Sequence, residues 1–333
     1  MARRAIGIGI GLLTVFAMCR CGDQITTGGP SRFYRSVEKA EILVRYAPRL
    51  WFRTDEMYFP SSVEWAFPNL KRVMIQGNYW VVTKSPLLGD YLLEGPAYED
   101  VYEHPFFGGN LESAVVYGFW VDKMIGPENE REAVVDLVYY VYYPYNKGKS
   151  CGGVRYENHV GDWEYMVVRL QSNDPDHPLQ VALSAHDFIG VYGWSEIDKI
   201  EDTHPVAHVA WGSHGLWKDE GNHHYDTKVC ELHDYCNKGS SWDTWHCLRT
   251  FDFAARREIG DDEWSRRIDG DEWPRWMCED FAEPGASNPY DPAAGAIYRW
   301  GNPQNYCWPW ACVLTTGPTG PISKGVFYSE GYE

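Results

Sequence analysis

The run Val134-Val135-Asp136-Leu137-Val138-Tyr139-Tyr140-Val141-Tyr142-Tyr143 decides the fold class. Its β-branched and aromatic side chains suit a pleated surface, and Pro144 with Asn146-Lys147-Gly148 supplies the turn chemistry that closes a strand. Residues 163–170, 180–185 and 206–211 carry the same signature, separated by turn clusters such as Ser172-Asn173-Asp174-Pro175-Asp176. No long helical period lies between them, which argues against alternating βαβ units. The pattern predicts an all-β fold: an antiparallel β-sandwich of jelly-roll type, with long disulfide-tied loops and a few short helices. One such helix is predicted over 36–46, with Ser36 as its N-cap. Beyond residue 215 the periodicity fades into text rich in Trp, Asp, Gly and Cys, read as loops lying over the sheet. Residues 36–333 are accordingly read as a single β-sandwich domain with a loop-rich final third.

Ahead of that domain, Arg3 and Arg4 precede an apolar stretch over 5–18, the layout of a secretory signal peptide occupying 1–21. Residues 22–35 read as a flexible lead-in. The apolar stretch is too short to span a bilayer comfortably and has no rival elsewhere, so no transmembrane segment is expected after its removal. The chain is therefore expected to be secreted, or to travel the secretory and vacuolar pathway. Nine cysteines, seven of them beyond residue 150, suit disulfides in an oxidising compartment, with Cys230–Cys236 and Cys307–Cys312 as short-loop candidates. Zinc is the competing reading for Cys230, His233 and Cys236. The net charge of −17 repels phosphate backbones and anionic lipid surfaces, which argues against nucleic acid as a partner. Cations and neutral glycans stay open.

The chemistry concentrates in His159-Val160-Gly161-Asp162-Trp163-Glu164. Strand residues two apart share a face, so Asp162 and Glu164 project together while Trp163 points away. His159, in the turn entering that strand, is placed to fold back toward the same side. Two carboxylates and an imidazole suit a divalent cation such as calcium or magnesium. They equally suit an acid–base pair, because neighbouring carboxylates push their pKa values apart. His186 and His214 follow later strands and are placed to gather at the same rim. The candidate metal set is thus His159, Asp162, Glu164, His186 and His214. Were the chain an enzyme, Asp162 and Glu164 would be its catalytic carboxyls. The bland alternatives are histidines hydrogen-bonded at strand ends and acids facing solvent.

Four blocks, in order, resemble the vacuolar protein sorting-associated protein 62 family. They are Tyr46-Ala47-Pro48 through Trp65, Tyr142 through Gly148, His159 through Glu164, and His204-Pro205-Val206 through His214. The family's name implies a role in sorting to the vacuole. The spacing His159-x-x-Asp162-x-Glu164 is also similar to the Gly-His-Arg-His-Asp-Trp-Glu heptad of necrosis- and ethylene-inducing secreted proteins. That resemblance implies a β-sandwich whose His, Asp and Glu hold a divalent cation and engage sphingolipid headgroups. Val160-Gly161 replaces the Arg-His pair of the heptad, so only part of that motif is present.

The functional expectation is a secreted protein whose cation site binds a glycan or lipid headgroup. A glycoside hydrolase using Asp162 and Glu164 is one rival, although carboxyls two apart on a strand are closer than paired glycosidase carboxyls generally stand. A non-catalytic sorting or interaction protein is the other. The late tryptophans, Trp242, Trp245 and Trp300 among them, either floor a sugar groove or plug a core beneath the loops.

Overall fold

The computed structural model describes residues 34–75, 78–84, 105–151, 154–156, 158–186, 188–226, 231–255, 257–260, 298–303, 305–308, 311–314, 317–321 and 324–332. The signal peptide, most of the lead-in, Cys230 and Cys278 lie outside them. Helix α1 (Ser36–Arg45) comes first and buries Ile42 and Leu43. Ser36 is its first helical residue and not its cap. The capping carboxylate is Glu38, which accepts the Arg35 backbone N–H at 2.8 Å.

Strands then follow as β1 (Arg49–Trp51), β2 (Leu70–Ile75), β3 (Asn78–Thr83), β4 (Val116–Ile125), β5 (Glu132–Asn146), β6 (Lys149–Cys151) and β7 (Val154–Tyr156). After them come β8 (His159–Gln171), β9 (Asp174–Ala185), β10 (Phe188–Gly193), β11 (Lys199–Ile200), β12 (His204–Val209) and β13 (Leu216–Trp217). The last group is β14 (Gly221–Asp226), β15 (Glu231–Cys236), β16 (Ser241–Asp243), β17 (Leu248–Asp252), β18 (Arg257–Ile259), β19 (Tyr298–Trp300), β20 (Asn305–Trp308) and β21 (Ala311–Leu314). A central seven-stranded sheet has the order β10-β9-β8-β5-β4-β17-β18. A second sheet runs β11-β12-β1-β16, with β13 paired to β12.

The central position of β5 accounts for its composition, because both of its faces are covered. Val138, Tyr140 and Tyr142 enter one core with Phe119, Trp163 and Trp300. Val135, Leu137, Tyr139, Val141 and Tyr143 enter the other, against α1, β1 and β12. Strand β5 runs on through Pro144 because β4 has already ended beside Val141, so no neighbour on that side needs the missing N–H. Opposite Pro144 stands Gly161, and both strands change faces there. Tyr145 and Val160 join the same core as Tyr142 and Trp163, three residues away on each strand. Gly161 has φ +69°, and a Cβ on it would lie 2.7 Å from the Trp300 carbonyl oxygen. Only glycine fits that close crossing.

The antiparallel, disulfide-tied jelly-roll expectation is overturned. The structure is a mixed, sheet-rich α/β fold with open sheets. Strands β1 with β12, β4 with β17, and β3 with β19 pair in parallel. These partners are far apart in sequence and meet through tertiary packing, which local hydrophobic periodicity does not encode. Cys236 and Cys247 are free thiols, which removes the Cys230–Cys236 cross-link, while the side chains of Cys307 and Cys312 lie outside the described ones. Burial raises the Cys247 thiol to about 11 and pushes the Cys236 thiol well above the ordinary range. The two aromatic-rich cores supply the cohesion that cross-links were expected to provide.

Candidate functional site

Strands β8 and β9 pair as far as Met166 opposite Leu183, and there they part. The Ser184 hydroxyl accepts the Tyr165 backbone N–H at 2.8 Å, which satisfies a donor that the diverging strand has left. The parting opens a cleft of about 1210 Å³ lined by β8, by β10 and by the C-terminal stretch at Lys324 and Tyr332. His159, Asp162, Glu164, Ser184 and His186 are among its polar lining residues, and Phe188, Ile189 and Val191 among its apolar ones.

His159 is held in one tautomer. Its Nδ1–H donates to the Gly161 carbonyl at 2.9 Å, and its Nε2 accepts from the Asn146 amide at 3.0 Å. Burial lowers its pKa, against the opposing charge of Asp162. Asp162 accepts the Trp163 backbone N–H at Oδ1 and faces His214 Nδ1 from Oδ2 at 3.0 Å. His214 Nε2 in turn faces the Tyr58 carbonyl at 3.1 Å, so both ring nitrogens stand opposite oxygen atoms. The ring stacks on Tyr143 at 3.8 Å between centroids. Burial works to raise the Asp162 pKa, but the His214 hydrogen bond and nearby positive charge outweigh it and hold the carboxyl below its usual range.

Glu164 has the opposite balance. It is 7% exposed, and its one hydrogen bond is to the Ser184 hydroxyl, at Oε2. Burial and the charge of Asp162 push its pKa well above the usual carboxylate range, which favours its protonated form.

His186 also lines the cleft but belongs to a different network. Its Nε2 donates to Asp234 on β15 at 2.8 Å. Asp234 further accepts from Lys149 at 2.8 Å, Ser213 at 2.8 Å and Trp217 at 2.9 Å. Burial alone would raise this carboxyl, yet His186 and Lys149 hold it far below the usual range.

These pairings correct the cation-site expectation. Among the described residues no group of three or more His, Cys, Asp or Glu is arranged to hold a metal ion. His159 and His214 have both ring nitrogens engaged, His186 is turned to Asp234, and the carboxyls are taken up by His214, Ser184 and a backbone N–H. The structure therefore brings His159, Asp162, Glu164, His186 and His214 to one region without converging their lone pairs. The expected calcium or magnesium site at these residues is thus not formed. The zinc reading involves Cys230, which lies outside the described residues.

A family model described as vacuolar protein sorting-associated protein 62 matches residues 35–229, more than half of the chain. The chain belongs to the vacuolar protein sorting-associated protein 62 family. The Saccharomyces cerevisiae protein of that name is 29% identical over 158 residues, covering 42% of this chain and 32% of its own length. A second sorting-associated protein of the same yeast, TDA6, is 28% identical over 129 residues, covering 33% of this chain and 27% of its own length. The match thus spans about a third of the length of these curated relatives. Family membership places the chain in the secretory and vacuolar pathway. Two solved structures, "NLPPya in complex with glucosamine" and "Toxin fold for microbial attack and plant defense", have 15% and 16% identity to it. The first covers 73% of this chain and 85% of its own, the second 71% and 83%, each at a TM-score of 0.32. At that level they add nothing to the fold or site described above. Among the described residues, no helix is long and apolar enough to cross a membrane.

The match of the sorting-associated 62 family takes in His159, Asp162, Glu164, Ser184, His186 and His214, and leaves out Asp234, Lys324 and Tyr332. Sequence reasoning missed these three, and Ser184 as well. Lys324 and Tyr332 arrive on a C-terminal stretch fastened across the sheet. Tyr165 donates to the Tyr332 carbonyl at 2.8 Å, Lys123 to the carbonyls of Val326 and Ser329, and Arg169 to that of Glu330. Arg169 itself is held by a bidentate pair with buried Asp136 at 2.7 and 2.8 Å. The one available signal was Asp136, an acid inside an otherwise apolar strand, which calls for a buried cation.

Proposed function

We propose that this protein binds a saccharide in the cleft between β8 and β10, without a metal ion. The observation that supports the reading is the mixed lining of the cleft, where the Glu164 carboxyl and the Ser184 hydroxyl occur together with Phe188, Ile189 and Val191. Pyranose rings present hydroxyl edges and apolar C–H faces, and a lining of both kinds meets them. Phe188 is 38% exposed beside this cleft, and its ring is the stacking surface. The same chemistry serves a free glycan or one carried on a lipid headgroup. In the sorting-associated family, such a site would recognise glycan in the lumen of the secretory route.

Calorimetric titration of the full chain with a panel of mono- and oligosaccharides, in the presence of EDTA, tests this. Binding that persists in chelator and weakens roughly tenfold in Phe188→Ala is the expected outcome, about the loss of one aromatic contact. Absence of any saccharide binding, or its abolition by EDTA, would contradict the proposal.

A further inference from the structure

The central sheet ends in two unlike edges. Strand β18 closes one end with three residues, and two of them, Arg257 and Glu258, are charged. A short, charged strand is the common protection against edge pairing. Strand β10 closes the other end with Phe188-Ile189-Gly190-Val191-Tyr192-Gly193, which carries neither charge nor proline. Among the described residues no strand covers its outer side, and Val191 is 49% exposed there.

The hairpin fixes which backbone groups face outward. Phe188 stands opposite Ala185 across a two-residue turn, so this pair exchanges the first ladder hydrogen bonds, and Gly190 and Tyr192 follow in the same phase. The N–H and C=O groups of Ile189 and Val191 therefore point away from β9. Gly193 shares that phase, and its outward N–H donates to the Glu196 carboxylate at 2.6 Å. The strand is also complementary to itself. About Gly190 it reads aromatic, β-branched, glycine, β-branched, aromatic. An antiparallel copy centred on Gly190 sets Ile189 opposite the partner's Val191, and Phe188 opposite the partner's Tyr192. Each pair occurs twice by symmetry, as an isologous contact requires. Glycine meets glycine at the centre, where strands approach closely and where Tyr192 already folds over its own Gly190. A Cβ on Gly190 would lie 2.5 Å from the Tyr192 hydroxyl.

We propose that β10 pairs edge to edge with β10 of a second copy of this chain, giving a two-fold dimer whose central sheet runs through both copies. Ile189 and the partner's Val191 exchange two backbone hydrogen bonds, and so do their symmetry mates. The Glu196 carboxylate ends the ladder at Gly193. Because the strand is uncharged, the net charge of −17 on each copy opposes the contact only from a distance, and added salt strengthens it. The dimer does not depend on the saccharide reading and forms without ligand.

Sedimentation equilibrium of the full chain, from about 1 to 200 µM and at low and high salt, tests this. Wild type is expected to associate to a dimer, more tightly at high salt. Val191→Pro removes one outward N–H from each copy and leaves the bonds to β9 in place, so the dimer should weaken roughly tenfold or more. Val191→Lys keeps the backbone donors, sets a charge against the partner's apolar Ile189, and should weaken the dimer comparably. Val191→Ile should preserve it. Circular dichroism melts establish that each variant is folded, and the lysine variant decides the matter if the proline variant is not. A wild type that stays monomeric throughout overturns the inference and leaves this edge to an extended segment of another protein. A dimer that survives Val191→Lys unchanged overturns it too, because the copies then meet elsewhere.

Discussion

Asp234 and Glu164 are both buried carboxyls, near enough for the charge of one to act on the other, and their pKa values are pushed in opposite directions. Asp234 is fully buried and receives Lys149, His186, Ser213 and Trp217. Glu164 receives one serine hydroxyl and has a second carboxylate, Asp162, two residues before it on the same strand. Donor supply, and not burial, separates them. The first is a closed joint that fastens the β14–β15 hairpin to the loops around residue 213. The second lines the cleft and accepts a hydrogen bond from Ser184.

The largest effect follows from opening the closed joint. Asp234→Ala strands the Lys149 ammonium in the interior and deprives His186, Ser213 and Trp217 of their acceptor. Removing one partner from such a pair costs about 3–5 kcal/mol. Chemical denaturation should show a loss of that size, and a loss below about 1 kcal/mol would make Asp234 dispensable and break the contrast.

A smaller effect separates the two carboxyls by pH. Glu164 has a raised folded pKa, so its protonated form is favoured in the native state. Above about pH 4.3, where an unfolded glutamate ionises, the native chain holds a proton that the unfolded chain has lost. Its contribution to stability is present below that pH and is lost as pH rises through the folded pKa, with a slope of at most about 1.4 kcal/mol per pH unit. Asp234 has a depressed folded pKa. Its contribution is present above about pH 3.9 and is lost as pH falls toward the folded value. Glu164→Gln should remove the loss on the neutral side and leave the acid side unchanged. A Glu164→Gln profile that parallels wild type from pH 5 to 8 would show that Glu164 ionises normally.

Phe188→Ala marks the other end of the scale. The exposed ring contributes little to folding, and the change in stability should stay within about 0.5 kcal/mol while saccharide affinity falls.

The strands were legible in the sequence where local chemistry decides them. The Val134–Tyr143 run lies inside β5, and helix α1 lies inside its predicted span. Their assembly was not legible. Parallel pairing of β4 with β17 joins strands more than a hundred residues apart, and no turn signal announces it. At the site, His159, Asp162 and Glu164 were conspicuous because they are neighbours in the chain. Ser184, Asp234, Lys324 and Tyr332 were not, since each is unremarkable in its own stretch and gains meaning only through the partner it meets. That also explains the failed metal expectation. Residue types show which groups can ligate, whereas their hydrogen bonds decide whether a lone pair is left to do so.

The central claim is that Glu164, in the cleft lining, titrates well above the usual carboxylate range, and the most direct measurement is its own titration. Carbon-13 NMR of the side-chain carboxyls, with Glu164→Gln used to assign the resonance, follows that group from pH 3 to 8. The account predicts a Glu164 carboxyl signal that stays in its protonated position through the range where the exposed glutamates titrate. A Glu164 signal that titrates with them, near pH 4.3, would contradict it.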